Sequence, residues 1–372
     1  MKAKLLFAAL MLFCGITAQA QSDVLTATLT HNGVHTTYTG SNSLAKALAN
    51  ANHGDAIALS SGHFQGTHTI TKAITLSGAG ATVDYPTILD DDIIMDVPDS
   101  CSEITKIEGI RFSTVVNSTD EHADWRAPYL ILQNCKYSYD HSYSSIKYQM
   151  YAKKLILRNV ISSHGHKSDV TSLLRYYPTK DGSEIQIIQS LWGKIHIENE
   201  KYDDVKVNAT NSRFYEIGGT ASSITCNHCI IGSYVPQNSV VSNSLFLRST
   251  LSGLGEFYSK ITKQSVVLRT NWEFYSNTLF DKTYYTYFFT SNTNWKTLSV
   301  STVSDLLGED DQLTNYAKAN CPSTDNTEIG IYGGAYDKDI DSSFLHFVRC
   351  TVPTVTDEEG KLNVKLSVSG IK

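Results

Sequence analysis

The sequence is poor in cysteine, in proline and in basic charge. Its 372 residues include seven prolines and seven cysteines, and that many cysteines are too few for a disulfide-stabilised scaffold of this length. Lysine and arginine total 31 against 37 aspartates and glutamates, and no basic run occurs, so nucleic acid is not an expected partner. Beyond the first residues no apolar run is long enough to span a membrane, so the chain is not expected to be membrane-spanning.

The first residues have the three parts of a secretory signal peptide. In MKAKLLFAALMLFCGITAQAQS, Lys2 and Lys4 form the basic start, residues 5–16 form the apolar core, and residues 18–20 are the cleavage site. We therefore expect residues 1–20 to be removed. The remaining chain, secreted or surface-attached, would carry a formal net charge near −8, because two of the 31 basic side chains are lost.

Six cysteines remain after that removal, and buried thiols, one or two disulfides and a metal site all stay open for them. Cys226 and Cys229 form a C-x-x-C motif, but no second ligand pair for zinc follows it. Cys135 lies inside an apolar strand pattern, as Cys226 does, which favours buried thiols. A disulfide is most readily expected between Cys321 and Cys350, and no metal ligand set is predicted.

In place of long apolar runs, the sequence has a short apolar alternation that recurs. YLILQNCKYS (129–138) and KLILRNVISS (154–163) share the pattern, and in each an asparagine ends the strand. The intervals between such markers run from 16 to 34 residues, and most of them suit one coil of a parallel solenoid, although 16 is short. The nine markers are Gly78, Gly109, Asn134, Asn159, Ser190, Asn211, Asn227, Asn243 and Asn277.

Stacking of successive coils gives this repeat a physical reason. Period-two alternation places Leu155 and Leu157 on one face and Ile156 on the other, and a single strand cannot bury its apolar face alone. Asparagines at the same place on successive coils can then hydrogen-bond along the axis. An antiparallel sandwich is the alternative, but hairpin signals of the Asn-Gly or Asp-Gly type occur only at 32–33 and 181–182.

Both ends of a solenoid need covers, because an open end exposes strand edges. A helix is predicted at the start, with Ser41 or Ser43 as N-cap, Gly54 as its end, and a buried face formed by Leu44, Ala45 and Leu48. Near the other end, TVSDLLGEDDQ (302–312) predicts a short helix and GKLNVKLSVSG (360–370) predicts a final strand.

Three motifs give the sequence a family resemblance. GDAIALSSGHF (54–64) matches G-D-x-I-x-L-x-x-G-x-Y/F, ITLSGAG (74–80) matches I-x-L-x-G-x-G, and IGIYGG (329–334) matches most of D-I-G-x-Y-G-G. Over about residues 41–370 the chain resembles the right-handed parallel β-helix proteins of the pectate-lyase-like superfamily. It is most similar to secreted Gram-negative bacterial members that mostly lack an assigned activity, although Cys321 replaces a serine that they often carry.

The resemblance implies an all-β fold, a right-handed single-stranded parallel β-helix with an N-terminal capping helix and a C-terminal cover segment. The expected organisation is a signal peptide over 1–20, the β-helix over 21–345 with its cap from 41, and a strand segment over 346–372. The expected location is outside the cell or on its surface, reached through the periplasm of a Gram-negative bacterium. This fold hosts lyases, hydrolases, esterases, adhesins and inert spacers, so it does not define an activity.

The catalytic patterns of similar proteins are incomplete in this sequence. A lyase of this fold would need a basic residue and usually Ca²⁺, but contiguous acids alternate in direction rather than converge on one ion. No cofactor is therefore predicted, although Ca²⁺ remains open at Asp90, Asp91, Asp92 and Asp96. SSHGHKSD (162–169) contains H-G-H in place of the G-H-G of polygalacturonan hydrolases, and their N-T-D and R-I-K are missing.

The repeat itself predicts a candidate binding site. His141 follows Asn134 by seven residues and His166 follows Asn159 by seven, so coils in register would stack the two imidazoles about 4.8 Å apart. Such a pair can bind a metal or hydrogen-bond sugar hydroxyls, whereas two exposed turn histidines without a role are the plainer interpretation. The predicted ligand-binding residues are Asp140, His141, His164, His166, Lys167 and Asp169.

Two functions of different classes follow. The sequence contains 21 tyrosines, and an outward strip of them on a rod would suit a glycan, although tyrosine also fills solenoid turns. We expect a secreted or surface rod that engages extracellular polysaccharide without an identifiable catalytic site. A polysaccharide lyase or glycoside hydrolase of the same fold is the alternative, and the sequence does not indicate the oligomeric state.

Overall fold

The protein is all-β, and most of its strands form two large sheets that are mainly parallel. The computed structural model describes residues 24–90, 93–113, 123–138, 147–162, 173–234, 239–246, 273–274, 307–308, 311–320, 323, 325–334, 346–351 and 365–369. The expected signal peptide, the marker Asn277 and the thiol of Cys321 lie outside these residues, so the predictions made for them stay predictions.

The first sheet contains twelve strands within the described residues. They are β1 (Thr26–His31), β2 (Val34–Thr39), β3 (Ala56–Leu59), β6 (Thr75–Ser77), β9 (Thr105–Glu108), β12 (Tyr129–Gln133), β15 (Lys154–Arg158), β18 (Glu184–Ile188), β20 (Lys206–Thr210), β22 (Ser223–Asn227), β24 (Ser239–Ser242) and β26 (Glu273–Phe274). From β3 to β18 the sheet takes every third strand of the chain in order, which is compatible with coils wound around a common core.

The second sheet curls strongly, and eleven of its fourteen described strands follow one continuous path. It contains β4 (Gly62–Phe64), β5 (His68–Ile70), β7 (Thr87–Leu89), β8 (Ile93–Asp96), β10 (Ile110–Ser113), β11 (Ala123–Arg126), β13 (Lys136–Ser138), β14 (Lys147–Ala152), β16 (Ile161–Ser162), β17 (Leu173–Pro178), β19 (Leu191–Ile197), β21 (Arg213–Gly219), β23 (Ile230–Tyr234) and β25 (Leu245–Phe246). The curl passes through β19, which is long enough to pair with two strands at once. Its residue Leu191 pairs with Ile161 of β16, while Lys194 pairs with Leu173 of β17.

The parallel register confirms the stacking that the repeat predicts. Leu130 of β12 aligns with Leu155 of β15, and all the remaining paired positions of the two strands keep the same offset. Antiparallel pairing in the described residues is limited to β1 with β2 and with β3, to a single bridge, and to the separate pair β27 (His346–Thr351) and β28 (Lys365–Ser369). Two facing antiparallel layers are therefore not the architecture.

A continuous apolar column forms the core of the first sheet. Each member aligns with its neighbour in the next strand, and each is at most 1 % exposed. Burying one leucine or isoleucine side chain contributes about 1.5–3 kcal/mol, so the column stabilises the stack at every coil. The column consists of Leu76, Ile107, Leu132, Leu157, Ile187, Ala209 and Cys226.

With the exception of Gly78, the described repeat markers lie in or next to a left-handed turn that ends the first strand of each repeat, and each such repeat is called a coil below. Asn134 and Asn159 have φ of 52° and 49°, a region that asparagine tolerates better than most residues with a side chain. The sequence prediction is wrong by one position at Ser190 and Asn227, because the left-handed residues there are Gln189 and His228. The full set is Gly109, Asn134, Asn159, Gln189, Asn211, His228 and Asn243.

The residue after each left-handed turn points into the core, and this position explains two of the cysteines. Ser190 and Ser212 are fully buried there, and the Oγ of Ser212 donates to the carbonyl of Thr210 at 2.8 Å. Cys135 and Cys229 occupy the same position, with Sγ within 3.4 Å of the carbonyl two residues earlier. Both thiols and that of Cys226 are buried and without disulfides, as the sequence predicts for Cys135 and Cys226.

Helix α1 (Ser43–Asn50) and the β1–β2 hairpin are at the N-terminal end of the first sheet. The hairpin turns at Asn32 and Gly33, both with positive φ, and β1 pairs with β3 along its edge. The predicted cap residue is wrong, because Asn42 precedes the helix without a side-chain cap and Ser43 is already helical. Ala45 was expected to be buried but is exposed, and Ala47 takes its place.

A C-terminal segment packs against the left-handed turns of later coils. The side-chain amide of Asn211 donates to the carbonyls of Ile331, at 3.1 Å, and of Gly333. The ring of His228, which is fully buried, lies against Gly333 and Gly334. The IGIYGG motif (329–334) therefore docks on the turns, and its two last glycines leave room for the imidazole.

Most of the helix predicted within 302–312 lies outside the described residues, so that prediction stays a prediction, and Asp311 at its end has a 3₁₀ conformation. Leu307 forms an antiparallel bridge with Leu313, and helix α2 (Asn315–Asn320) follows. Leu307, Leu313 and Ile331 form a small apolar cluster with Ile230 of β23.

Candidate functional site

The six residues predicted for ligand binding all lie outside the described residues. Asp140 and His141 fall in the gap after β13, and His164, His166, Lys167 and Asp169 fall in the gap after β16. The register on which their stacking depends is present at the preceding positions, where Tyr137 aligns with Ser162. The pairing of the two imidazoles itself stays a prediction.

The described residues contain a second polar surface, on the outside of the curled sheet. Strand β17 shows why it forms, because Leu174, Tyr176 and Pro178 are buried while Arg175 and Tyr177 are partly exposed. The parallel register then aligns the outward residues of β11, β14, β17 and β19 in two columns. We call the following seven residues the tyrosine face: Arg126, Gln149, Tyr151, Arg175, Tyr177, His196 and Glu198.

The first column is a stack of aromatic and cationic side chains. The rings of Tyr151 and Tyr177 lie 4.4 Å apart with an angle of 13° between their planes. The guanidinium of Arg126 lies 4.6 Å from the centre of the Tyr151 ring. Because Arg126 and Tyr177 belong to the strands on either side, both faces of Tyr151 are covered. A sugar can therefore reach the edge and hydroxyl of Tyr151 but cannot stack on its face.

The second column supplies hydrogen-bonding groups beside that stack. Gln149 aligns with Arg175, and Arg175 aligns with His196. The side chain of Gln149 is almost buried and accepts a hydrogen bond of 3.1 Å from the hydroxyl of Tyr151, which orients both groups. The Nε of Arg175 lies 3.4 Å from a carboxylate oxygen of Glu198, and the Nε2 of His196 lies 3.9 Å from the other oxygen.

The strand beyond His196 leaves space for its ring. Gly218 of β21 aligns with His196, and a Cβ at that position would lie 3.0 Å from the Nδ1 atom of the imidazole. On the same two strands, two residues before His196, Lys194 forms an ion pair with Glu216 at 3.2 Å. The surface therefore continues as a row of polar and charged side chains onto β21.

The inward tyrosines of the curled sheet have a different role. The hydroxyl of Tyr176 donates to the carbonyl of Ala152 at 3.0 Å, and burial raises the pKa of Tyr176 well above its ordinary value. Tyr137 is fully buried and packs on Phe112 with ring centres 4.8 Å apart. These phenols stay neutral and belong to the core.

The surface combines the groups by which proteins recognise polyols. Two arginines, a histidine, a glutamate and two phenols offer donors and acceptors that are at least partly exposed, and one register holds them in place beside the buried Gln149. Two acids that cleave a glycosidic bond stand about 5–9.5 Å apart. Asp96 and Glu198 occupy the two ends of the first column, four strand spacings or about 19 Å apart, so these two acids do not form such a pair.

The sequence analysis left an outward tyrosine strip and tyrosine as a filler of solenoid turns as open alternatives. It did not assign Tyr151, Tyr177 or Arg175 to such a strip. The alternation in LLRYYP (173–178) could have assigned Tyr177 to the outside, but only the register with β14 places it against Tyr151. Of the acids considered for Ca²⁺, Asp91 and Asp92 lie outside the described residues, and Asp90 accepts a hydrogen bond from His63 at 2.9 Å.

Comparisons with known proteins leave the family open. Neither the models of protein families, nor the curated proteins, nor the solved structures contain a significant match to this chain. Of the two helices in the described part of the chain, neither has the length and apolar character needed to cross a lipid bilayer.

Proposed function

We propose that the protein is a secreted or surface-exposed β-helix that binds extracellular polysaccharide along its tyrosine face. The observation that carries the proposal is the outward alignment of Tyr151 and Tyr177 with Arg126 on one side and Glu198 on the other. Such a row has no role in closing the core, which the inward residues of the same strands already fill.

The proposal includes the finer fold, a right-handed parallel β-helix similar to those of the pectate-lyase-like superfamily. Two facts support it: sheet neighbours recur at every third strand, and parallel strands joined by crossovers are right-handed in nearly all proteins. The sequence motifs at 54–64 and 329–334 point the same way. The signal peptide predicted at 1–20 supports a location outside the cytoplasm.

The geometry favours a chain-like ligand over a small molecule. Equivalent side chains repeat at the strand spacing of about 4.8 Å, which is close to the length of one pyranose residue in an extended glycan. Arg126, Tyr151 and Tyr177 could therefore meet successive sugars of one chain. The exposed guanidinium of Arg126 would suit the carboxylate of a uronic acid.

Binding to immobilised polysaccharides tests the proposal. We expect retention on at least one member of a panel of uronate-containing and neutral polysaccharides. Tyr177→Ala and Arg126→Ala should each weaken it by about tenfold, equivalent to about 1.4 kcal/mol. Tyr129→Ala is the matched control. Like Tyr177, Tyr129 is a half-exposed tyrosine, and a cation, Lys153, lies over its ring, but Tyr129 belongs to the first sheet. Retention that is equal in all four proteins, or absent from the whole panel, would contradict the proposal.

The same incubation separates binding from catalysis. A lyase would produce unsaturated products and a hydrolase new reducing ends, whereas a binding protein would produce neither. Products that disappear in His166→Ala would favour the enzyme alternative and the predicted histidine pair. Retention without products would favour the binding function.

A further inference from the structure

Three side chains with metal-binding atoms meet near the N-terminal end of the first sheet, far from the tyrosine face in the strand order. His53 lies in the turn before β3, and Cys101 and Glu103 lie in the turn before β9. Because β6 alone separates β3 from β9, the two turns are close in space although His53 and Cys101 are 48 residues apart in sequence. This separation is why the sequence analysis predicted no metal ligand set.

The three donor atoms are close enough to bind one ion. The Sγ atom of Cys101 lies 3.3 Å from the Nδ1 atom of His53 and 3.1 Å from a carboxylate oxygen of Glu103. All three donor atoms lie within 4.8 Å of one another. Ligands bound tetrahedrally at about 2.0–2.3 Å from an ion are separated by similar distances.

The imidazole already presents the form that a metal requires. The backbone N–H of Ala73 donates a hydrogen bond of 3.0 Å to the Nδ1 atom of His53, so that atom has a lone pair and no proton. A metal ion would take this lone pair in place of the amide. His53 and Glu103 are exposed and Cys101 is half-buried, so an ion can enter from solvent.

We propose that His53, Cys101 and Glu103 form a Zn²⁺ site. A thiolate, an imidazole and a carboxylate together suit Zn²⁺, whereas Ca²⁺ and Mg²⁺ take oxygen ligands. Three protein ligands leave a fourth position for water or for an outside ligand. The ion would also join two turns at the end of the solenoid, where fewer neighbouring coils stabilise the backbone.

Metal titration of the chelator-treated, reduced protein tests the site. We expect one equivalent of Zn²⁺ to bind, and Co²⁺ to give the near-ultraviolet absorption of a cobalt–thiolate bond. Cys101→Ser should abolish that absorption, and His53→Gln or Glu103→Gln should weaken Zn²⁺ binding more than about tenfold, since even groups that only support a ligand cost roughly 10–100-fold. Zn²⁺ should raise the midpoint of thermal unfolding of the native protein but not of Cys101→Ser.

His63→Gln is the matched control, because His63 is also an exposed histidine paired with a carboxylate, Asp90, but no thiol of the described residues joins that pair. Its Zn²⁺ affinity should equal that of the native protein. Circular dichroism of each variant shows that the fold is retained. Absence of the cobalt–thiolate absorption in the native protein, or Zn²⁺ affinity unchanged in both Cys101→Ser and Glu103→Gln, would overturn the proposal.

Discussion

The side-chain amide of Asn159 donates a hydrogen bond of 2.9 Å to the side-chain oxygen of Asn134. Both residues have left-handed backbone conformations, and both end the first strand of their coil. Asn243 makes the equivalent bond to Asn227 at 3.2 Å, although Asn227 lies one position before its own turn. The asparagine repeat is therefore explained by two separate requirements, a residue that tolerates positive φ and a side chain that bonds to the next coil.

These two requirements can be separated by mutation of Asn159. Asn159→Gly keeps the backbone conformation and loses the hydrogen bond, which costs about 0.5–1.5 kcal/mol of the free energy of unfolding. Asn159→Ala loses the bond and also forces a Cβ residue without a local polar partner into the left-handed region, for a further cost of about 1 kcal/mol. Denaturant unfolding of the three proteins measures both terms.

A substitution at the preceding residue is the control for the two Asn159 variants. Arg158→Ala changes an exposed residue that precedes the turn, and it should alter stability by less than about 0.5 kcal/mol. Equal destabilisation by Asn159→Gly and Asn159→Ala would show that the left-handed backbone does not determine the choice of asparagine.

The sequence predicts the repeat well where each coil uses asparagine and less well where it does not. At Gln189 and His228 the left-handed residue is neither Asn nor Gly, so a pattern built on Asn, Gly and Ser selects its neighbours instead. The predicted marker is displaced by one residue in each case. The strand register places Gln189 level with Asn159, and His228 level with Asn211. Local preference identifies the turn, whereas pairing with adjacent coils fixes which residue occupies it.

The candidate sites depend on distances that sequence patterns do not contain. Tyr151 and Tyr177 stack because β14 and β17 are neighbours in register, and the intervening chain passes through a whole coil. His53 and Cys101 meet across the position of β6. Equal offsets from a marker predict such contacts only when the coils have equal lengths, and the coils of this chain differ in length.

The docking of the C-terminal segment depends on Gly333. A Cβ at this position would overlap the carbonyl oxygen of Glu328 and lie 2.5 Å from the Nδ1 atom of His228. We expect Gly333→Ala to displace the segment from the coils and to expose it to limited proteolysis at a lower protease concentration. Gly308→Ala is the control within the same segment, because its nearest neighbour would be 3.7 Å from the new Cβ. Equal cleavage rates in the two variants would contradict this role.

The same docking should weaken at acid pH through Asp325. Partial burial raises the pKa of Asp325, but hydrogen bonds from Ser323, Thr327 and His228 outweigh it and hold the pKa well below the ordinary 3.8. A carboxyl group with a lowered pKa in the folded state stabilises that state fully above its ordinary pKa. The stabilisation is lost as the pH falls from about 4 towards the lowered value.

Hydrogen exchange of residues 329–334 between pH 5 and pH 2.5 measures this effect, after correction for the intrinsic pH dependence of exchange. Protection should fall as the pH decreases. In Asp325→Asn, protection should already be lower at pH 5 and should change less with pH. A native profile that is flat over this range, or one that Asp325→Asn reproduces, would rule out the carboxylate as the cause.

Cys135 occupies a buried register position that Ile110 fills in the preceding coil. It follows the left-handed Asn134, and Val160 and Ser190 follow Asn159 and Gln189 in the next two coils. Burial raises the pKa of the Cys135 thiol to about 12, so the group is a neutral, unreactive part of the core. We expect Cys135→Ser and Cys135→Val each to change the free energy of unfolding by less than about 1.5 kcal/mol, because the next two coils already accommodate a valine and a hydrogen-bonded serine at this position. Cys135→Leu should cost about 1–3 kcal/mol, because Cys135 is fully enclosed and the added methyl groups would have to displace packed neighbours such as Ile110. Denaturant unfolding ranks the three variants, and a leucine variant as stable as the serine variant would mean that packing at this position is loose.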